Sequence, residues 1–285
     1  MSYIVTASSG HLGRSIVESL LARGASPESI VATARDTAKI ADLAGRGVQT
    51  AVLDYTAPET VTAVVRPGAT LVLVSGTELG QRAAQHAAVI SAAAEAGVGR
   101  IIYTSAPAAT TSALILAPEH KATEEFLVAS GVPFTILRNA WYTENYTNLI
   151  ETARQSGTVV ASVGTGRVSS ASRADYAEAA AVAALDDSLA GQTLELSGDH
   201  AWDFDELASV ISGIIGSEVV FTNLSPEDHA AQLAGFGLDE GTVGFVVGLD
   251  ANIRDGLLGE TSGDLSRLIG RPTTPLAEGL AASAA

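Results

Sequence analysis

Short β-branched and aliphatic runs alternate with longer segments of helical periodicity through the first half of the chain. Ser2–Ala7, Ser29–Ala34, Val48–Leu53, Ala69–Val74, Arg100–Thr104 and Pro133–Leu137 read as six strands. Between them, Gly10–Ala22 sets Leu12, Ile16, Val17, Leu20 and Leu21 on one helical face, with Gly24 placed to end it. Thr37–Leu43, Pro58–Val65, Leu79–Ala96 (closed by Gly97) and Glu119–Ala129 (ended by Gly131) read as further helices. This alternation predicts an α/β fold: a parallel sheet of Rossmann type, doubly wound, with helices on both faces. After about residue 140 the rhythm loosens. Tyr142–Gln155 reads as helix, Val159–Ala161, Thr193–Leu196 and Val219–Phe221 as short strands, and Asp203 as the cap of a helix over Phe204–Ile215, with a mostly helical C-terminal segment. The expected organisation is a nucleotide-binding domain over 1–140 and a smaller mixed α/β lobe over 141–285 for substrate, with some chain exchanged between them and a cleft where they meet.

Composition narrows the setting. Two hundred and eighty-five residues allow one or two domains. The 47% hydrophobic content is spread through the chain, and no run of ~20 apolar residues is free of charge or glycine, so no membrane span is expected. The N-terminus runs straight into a strand pattern without the shape of a signal peptide. Cysteine is absent, which excludes disulfides, thiolate zinc sites and cysteine nucleophiles, and fits a cytoplasmic protein. A net charge of −16 without any basic run argues against a nucleic-acid partner and is read as serving solubility. No His/Asp/Glu set has metal-ligand spacing, so no metal is expected. The chain is expected to act on a small molecule as a monomer or homodimer.

Candidate chemistry begins between the first strand and the first helix, at Ala7-Ser8-Ser9-Gly10-His11-Leu12-Gly13. A helix N-terminus there offers unpaired N–H groups and partial positive charge to a pyrophosphate. Gly10 would admit the phosphates and Gly13 would let helix and strand pack closely, which assigns Ser8, Ser9, Gly10, His11 and Leu12 to the cofactor. Ala7 stands where the G-x-x-G-x-x-G pattern has its first glycine, a change tolerable if the backbone there keeps a negative φ. The second strand ends Arg35-Asp36-Thr37-Ala38-Lys39. Arg35 and Lys39, four apart, would share a face and hold a 2′-phosphate, whereas Asp36 would instead accept from a ribose hydroxyl. The expected cofactor is NADP(H), with NAD(H) as the alternative.

Glu78-Leu79-Gly80-Gln81-Arg82, Tyr103-Thr104-Ser105, Arg138-Asn139-Ala140-Trp141-Tyr142-Thr143-Glu144-Asn145-Tyr146, Ser170–Tyr176 and Leu268–Thr274 together resemble the NmrA-like branch of atypical short-chain dehydrogenases/reductases. Type-2 NAD(P)H:quinone oxidoreductases and triphenylmethane-dye reductases are the groups most alike. The resemblance implies a flavin-free, NADPH-using enzyme. It places Asp54 and Tyr55 near adenine, Ser75 and Gly76 along the ribose and pyrophosphate, and Tyr103, Thr104, Ser105, Arg138 and Asn139 near the nicotinamide. Trp141, Tyr142 and Tyr146 would border the substrate, unless they are core aromatics.

One catalytic group of ordinary short-chain dehydrogenases is missing. Their Tyr-x-x-x-Lys would put tyrosine four residues before Lys121, where Ala117 stands. Lys121 followed by Glu125 resembles the Lys-x-x-x-Glu of isoflavone-reductase-like members, which implies that Lys121 would hydrogen-bond the nicotinamide ribose or shuttle a proton. Ketone reduction yields an alkoxide and needs a positioned acid, but a reduced quinone is phenolate-like, with a conjugate acid near the ~10 of tyrosine. Water can protonate it, and orientation against the nicotinamide then suffices. The leading expectation is therefore an NADPH-dependent reductase of quinone-like acceptors. Alternatives are a ketone or imine reductase with Lys121 as proton relay, helped by His120 or Tyr142, and a non-catalytic NADP-sensing regulator. His120 as a surface residue and His86 as a packing residue are the plainer readings of those two side chains.

Overall fold

The computed structural model describes residues 2–284. Its strands are, in chain order, β1 (Tyr3–Val5), β2 (Ile30–Ala34), β3 (Gln49–Val52), β4 (Thr70–Leu73), β5 (Arg100–Ser105), β6 (Phe134–Asn139), β7 (Thr158–Ala161), β8 (Thr193–Leu196) and β9 (Val220–Asn223). Seven of them form one sheet in the order β3-β2-β1-β4-β5-β6-β8, with every pairing parallel, and β7 and β9 pair separately, also in parallel. The order reverses between β1 and β4, which is the doubly wound Rossmann-type arrangement expected from the alternation. The helices are α1 (His11–Ala22), α2 (Ala41–Gly45), α3 (Pro58–Val64), α4 (Arg82–Glu95), α5 (Ala117–Ala129), α6 (Thr147–Ser156), α7 (Arg173–Leu185), α8 (Phe204–Ile215), α9 (Pro226–Gly235), α10 (Glu240–Arg254), α11 (Asp264–Ile269) and α12 (Leu276–Ala284).

By chain contacts the protein divides into two compact units. The first holds the chain up to Thr110, Leu116–Asn139 and Arg173–Leu196; the second holds Thr111–Ile115, Ala140–Ser172 and the chain from Ser197 on. In the first unit, side chains alternate across the sheet. Ile4, Leu71, Leu73, Ile101 and Tyr103 face one way and pack with Val61, Val64, Val89, Ile90 and Leu127 of α3, α4 and α5. Val5, Val72 and Ile102, equally buried, point to the opposite face.

α7 is an element the hydrophobic pattern did not announce, and β8 is a seventh strand of the large sheet rather than an isolated short one. Alanines 177, 179–181, 183 and 184 of α7 are all fully buried, and the helix packs along α1 and touches β4, β5 and β6. Arg100, buried at the start of β5, donates to the carbonyls of Ala184 and Asp186 and so closes the C-terminus of α7.

The second unit has its own core. Trp202 lies edge-on to Tyr146 at 4.9 Å and beside Phe204, which stacks towards Phe221. Its indole Nε1 donates to Ser170 Oγ at 2.9 Å. Asp203 caps α8 as expected, accepting the Glu206 N–H at 3.0 Å. Among the described residues no helix is long and apolar enough to cross a membrane.

Candidate cofactor site

The first unit carries a cavity of about 250 Å³ at the C-terminal ends of β1, β2 and β4. Open parallel sheets bind ligands at such a reversal of strand order. Its floor is the turn between β1 and α1. Gly13 is what lets helix and strand meet, since a Cβ there would stand 2.4 Å from the Ala7 carbonyl oxygen and 2.8 Å from that of Thr6. Ser9 and Gly10 line the cavity. Gly10 is the N-cap of α1 and supplies no side-chain acceptor, so the first-turn N–H groups are not capped by the protein. That cradle fits a pyrophosphate.

Two details of the turn differ from expectation. Ala7 has φ +51°, in the left-handed region that disfavours side chains, rather than a negative φ. The strain persists because both flanks are pinned: the Gly10 N–H donates to Ala7 O at 2.9 Å and the Ser8 N–H to Thr33 O at 2.7 Å. Ala7→Gly should therefore stabilise the protein by up to about 1 kcal/mol, seen as a raised urea midpoint; an unchanged or lowered midpoint would count against strain at this position. The second correction concerns Ser8 and Leu12, which face inwards. The Ser8 hydroxyl is fully buried and donates to Val5 O at 2.9 Å, which makes it a brace of the turn. Leu12 belongs to the buried face of α1. His11 is exposed at the helix start.

At the end of β2, Arg35 reaches the cavity but Lys39 does not. The chain bends after Arg35 because Asp36 caps a 3-10 turn over Thr37–Ile40, accepting the Ala38 N–H at 3.0 Å. The turn breaks the i,i+4 face expected for Arg35 and Lys39, and it also occupies the Asp36 carboxylate. Arg14 secures this turn, donating to Asp42 and to the Lys39 carbonyl. Arg35 is 73% exposed and lies 3.5 Å from Glu78.

The wall beyond β3 contains Asp54 and Tyr55. Asp54 accepts from the backbone and hydroxyl of Thr56, which hold its carboxyl below the usual range, with Arg35 adding to the effect. Tyr55 Oη is bonded to Thr6 Oγ1 and Val74 O, tying β1 to β4 beneath the cavity.

The loop after β4 forms the opposite wall, with Ser75, Gly76, Thr77 and Glu78. It is braced by side chains of α4 and α5. The Gly76 N–H donates to His86 Nε2 at 3.0 Å, so Nδ1 carries the imidazole proton and faces Thr123 Oγ1 at 3.1 Å. Arg82 Nε donates to Gly76 O, Gln85 Nε2 donates to Glu78 Oε2 at 2.8 Å, and Glu119 accepts from the Gly80 N–H and from Arg82. Burial, with Arg82 nearby, pushes the His86 imidazole down to about 3. The plain packing reading of His86 is thus incomplete: its ring positions the cavity wall.

Further along the sheet edge, Thr104 Oγ1 accepts the Ser75 N–H at 2.9 Å. Tyr103 is buried, with its Oη 2.7 Å from His120 Nδ1. Burial raises the Tyr103 phenol and lowers His120 to about 3, so tyrosine donates and the imidazole stays neutral. His120 is therefore an interior residue, contrary to the surface reading. Ser105 donates to Glu124 at 2.6 Å, and Glu124 holds Arg138 through two further bonds of 3.0 and 2.6 Å. Asn139 is buried at the end of β6.

Lys121 does not join this group. It is 49% exposed and its partner is Glu125, 3.9 Å away one helical turn on. His120, Thr123, Glu124 and Leu127 form the buried face of α5, which turns Lys121 to solvent. The proton-relay expectation is corrected accordingly. In the second unit, Trp141 and Tyr142 are half-buried, whereas Tyr146 is a core residue against Trp202 and Phe204. The substrate-bordering expectation for Tyr146 is corrected too, because its ring is enclosed.

The model of the NAD(P)H-binding family matches residues 8–188, which hold the cavity's lining residues from Ser9 to Gln85. The chain belongs to the NAD(P)H-binding family. It is 41% identical over 274 residues to quinone oxidoreductase 2 of Escherichia coli (strain K12), covering 96% of each chain. It superposes with a TM-score of 0.93 on an NADPH-dependent quinone oxidoreductase from Escherichia coli solved with NADPH, at 41% identity and 99% coverage of both chains. A triphenylmethane reductase from Citrobacter sp. superposes equally well, with a TM-score of 0.93 at 33% identity, covering 100% of this chain and 99% of that one. The NmrA-like resemblance carried by Arg138–Tyr146 thus points to the two groups from which these similar proteins come.

Proposed function

We infer that the protein is an NADPH-dependent oxidoreductase that reduces quinone-like electrophilic acceptors by direct hydride transfer, using neither flavin nor metal. The observation that carries this reading is the cavity itself: an uncapped helix N-terminus at Gly10 faces Arg35 across a space bounded by Asp54, Tyr55, Ser75 and Gly76. The 41% identity to a quinone oxidoreductase supports the acceptor class. We assign the pyrophosphate to the turn at Ser9, Gly10 and His11, the adenosine to Asp54 and Tyr55, and the 2′-phosphate to Arg35. Ser75, Gly76 and Thr104 continue the track towards Asn139, and we assign acceptor binding to Trp141 and Tyr142.

When bound, the reduced nicotinamide supplies the hydride. The chain's own residues bind and orient. Thr104 fixes the Ser75 backbone, His86 and Arg82 fix Gly76, and the buried Tyr103–His120 pair keeps a neutral wall behind them. With Lys121 turned to solvent, the site offers no lysine as a general acid. That suits an acceptor whose reduced form takes its proton from water.

The test is turnover. Purified protein with NADPH is offered 1,4-benzoquinone, a simple ketone and a cationic triphenylmethane dye, and loss of reduced-cofactor absorbance is followed. Rapid quinone reduction with negligible ketone reduction is expected. Lys121→Met should keep kcat within about twofold, since a surface i,i+4 pair is worth only a few tenths of a kcal/mol. NADPH binding without turnover on any acceptor would overturn the enzymatic reading. A Lys121→Met variant that selectively loses ketone reduction would restore the relay.

A further inference from the structure

Arg35 and Glu78 meet at the lining of the cavity, coming from the two strands that flank β1. Arg35 follows β2 and Glu78 follows β4, so the pair spans the end of β1 where the turn begins. Guanidinium and carboxylate lie 3.5 Å apart, and both residues line the cavity. The two sides are held differently. The free Glu78 oxygen accepts from Gln85, itself buried, at 2.8 Å, and the backbone carbonyl of Glu78 accepts from Gln81 and Arg82. Among the described residues the ion-pair partner of Arg35 is Glu78, with Asp54 near enough to feel its charge, and Arg35 is 73% exposed. Glu78 is the fixed member and Arg35 the movable one.

We propose that Glu78 is a specificity-determining residue that restrains the preference for a 2′-phosphorylated dinucleotide, so that the site accepts NADH as well as NADPH. This rests on the reading of the cavity as a dinucleotide site with Arg35 at the 2′-position. A phosphate bonded to the Arg35 guanidinium would lie on the order of 6 Å from the tethered carboxylate. Arg35 contributes one positive charge to that position and Glu78 cancels it. The phosphate dianion of NADPH meets a like charge that Gln85 keeps from swinging away. NADH carries a hydroxyl at the same place. It brings no charge to repel, and its O–H finds an acceptor in the carboxylate. The two cofactors therefore respond to Glu78 with opposite signs.

The experiment measures dissociation constants for NADPH and NADH, by quenching of protein fluorescence, on wild-type protein, Glu78→Gln and Arg35→Ala, at low and at high salt. Glutamine preserves the shape and the contact to Gln85, and an unchanged melting temperature confirms the fold. Glu78→Gln is expected to tighten NADPH about fivefold at low salt, the size of a screened interaction at this separation in an exposed site. NADH should be unchanged or weakened, and the NADPH gain should shrink at high salt. An affinity ratio that stays constant or moves towards NADH in Glu78→Gln overturns the role of Glu78. Failure of the underlying reading looks different. In that case wild-type protein binds neither dinucleotide, or Arg35→Ala leaves the NADPH:NADH ratio untouched, and the proposal falls with it.

Discussion

Gly13→Ala is expected to abolish NADPH binding and to cost about 3 kcal/mol of stability. The added methyl meets the Thr6–Ala7 backbone, at 2.4 Å from Ala7 O, 2.7 Å from Ala7 C and 2.8 Å from Thr6 O. No side chain can rotate to make room. The turn itself is tied down by the bonds from Ser8 N–H to Thr33 O and from Thr6 N–H to Val72 O. The strain must be relieved by lifting α1 off the sheet, which pulls Leu12, Ile16, Val17 and Leu20 from their buried positions and displaces the N–H groups assigned to the pyrophosphate. Gly10→Ala is the control. Its methyl would meet only Ala7 O, at 3.3 Å, and its φ of −88° is open to alanine. Urea unfolding of that variant should shift by less than about 1 kcal/mol. Equal behaviour of the two variants, in unfolding and in cofactor fluorescence, would show that the close approach at Gly13 does not govern the turn.

Acid should destabilise the protein well above the range where carboxylates titrate. His86 and His120 sit near 3 in the folded chain, below the ordinary value of 6.5. Between those values the unfolded chain binds protons that the folded chain refuses. Stability therefore rises with pH across this window and is lost as pH falls from 6.5. Each imidazole contributes a slope of up to ~1.4 kcal/mol per pH unit, so both together reach about 5 kcal/mol by pH 4.5, a large share of a typical 5–15 kcal/mol. The cofactor wall is affected as well, because a protonated His86 Nε2 can no longer accept the Gly76 N–H. Urea midpoints measured from pH 7.5 to 4.5 test this. A flat profile down to pH 5 would mean that the two rings are not held neutral by burial.

The sheet was legible because its order follows from local signals. Glycines and prolines punctuate β-branched runs, and Asp203 announces α8 to the residue. α7 escaped for a physical reason: an alanine-rich helix buried on several sides has no polar face, so periodicity has nothing to report. The periodicity extends the long helix after β4 back to Leu79, but it starts at Arg82, because Gly80 has φ +80° and the chain up to Glu78 is the loop that walls the cavity. At the site, Gly13, Arg35, Ser75 and Gly76 were readable from motif and resemblance. Glu78 facing Arg35, and His86 under Gly76, depend on which strands lie beside β1, and no local pattern encodes that. Tyr146 shows the same limit. An aromatic cluster after β6 is visible in the sequence, but the enclosure of one ring by Trp202 and Phe204, more than fifty positions later, is not.

The return of Arg173–Leu196 to the first unit bears on the order in which a ribosome can complete it. When Asn139 has emerged, β6 is still an open edge and the apolar face of α1 still lacks α7. Nearly sixty further residues must be made before β8 and α7 arrive, a wait of roughly 3–12 s at ordinary elongation rates. During that interval the nascent chain exposes a sheet edge capable of pairing with another chain. A fragment stopped at residue 140 would hold that exposure permanently, so the cofactor-binding half cannot be cut out at the place where the sequence rhythm changes. Rare codons between Ala140 and Ser172 would lengthen the exposure, and a holdase that covers strand edges would matter most for this chain while those residues are being translated.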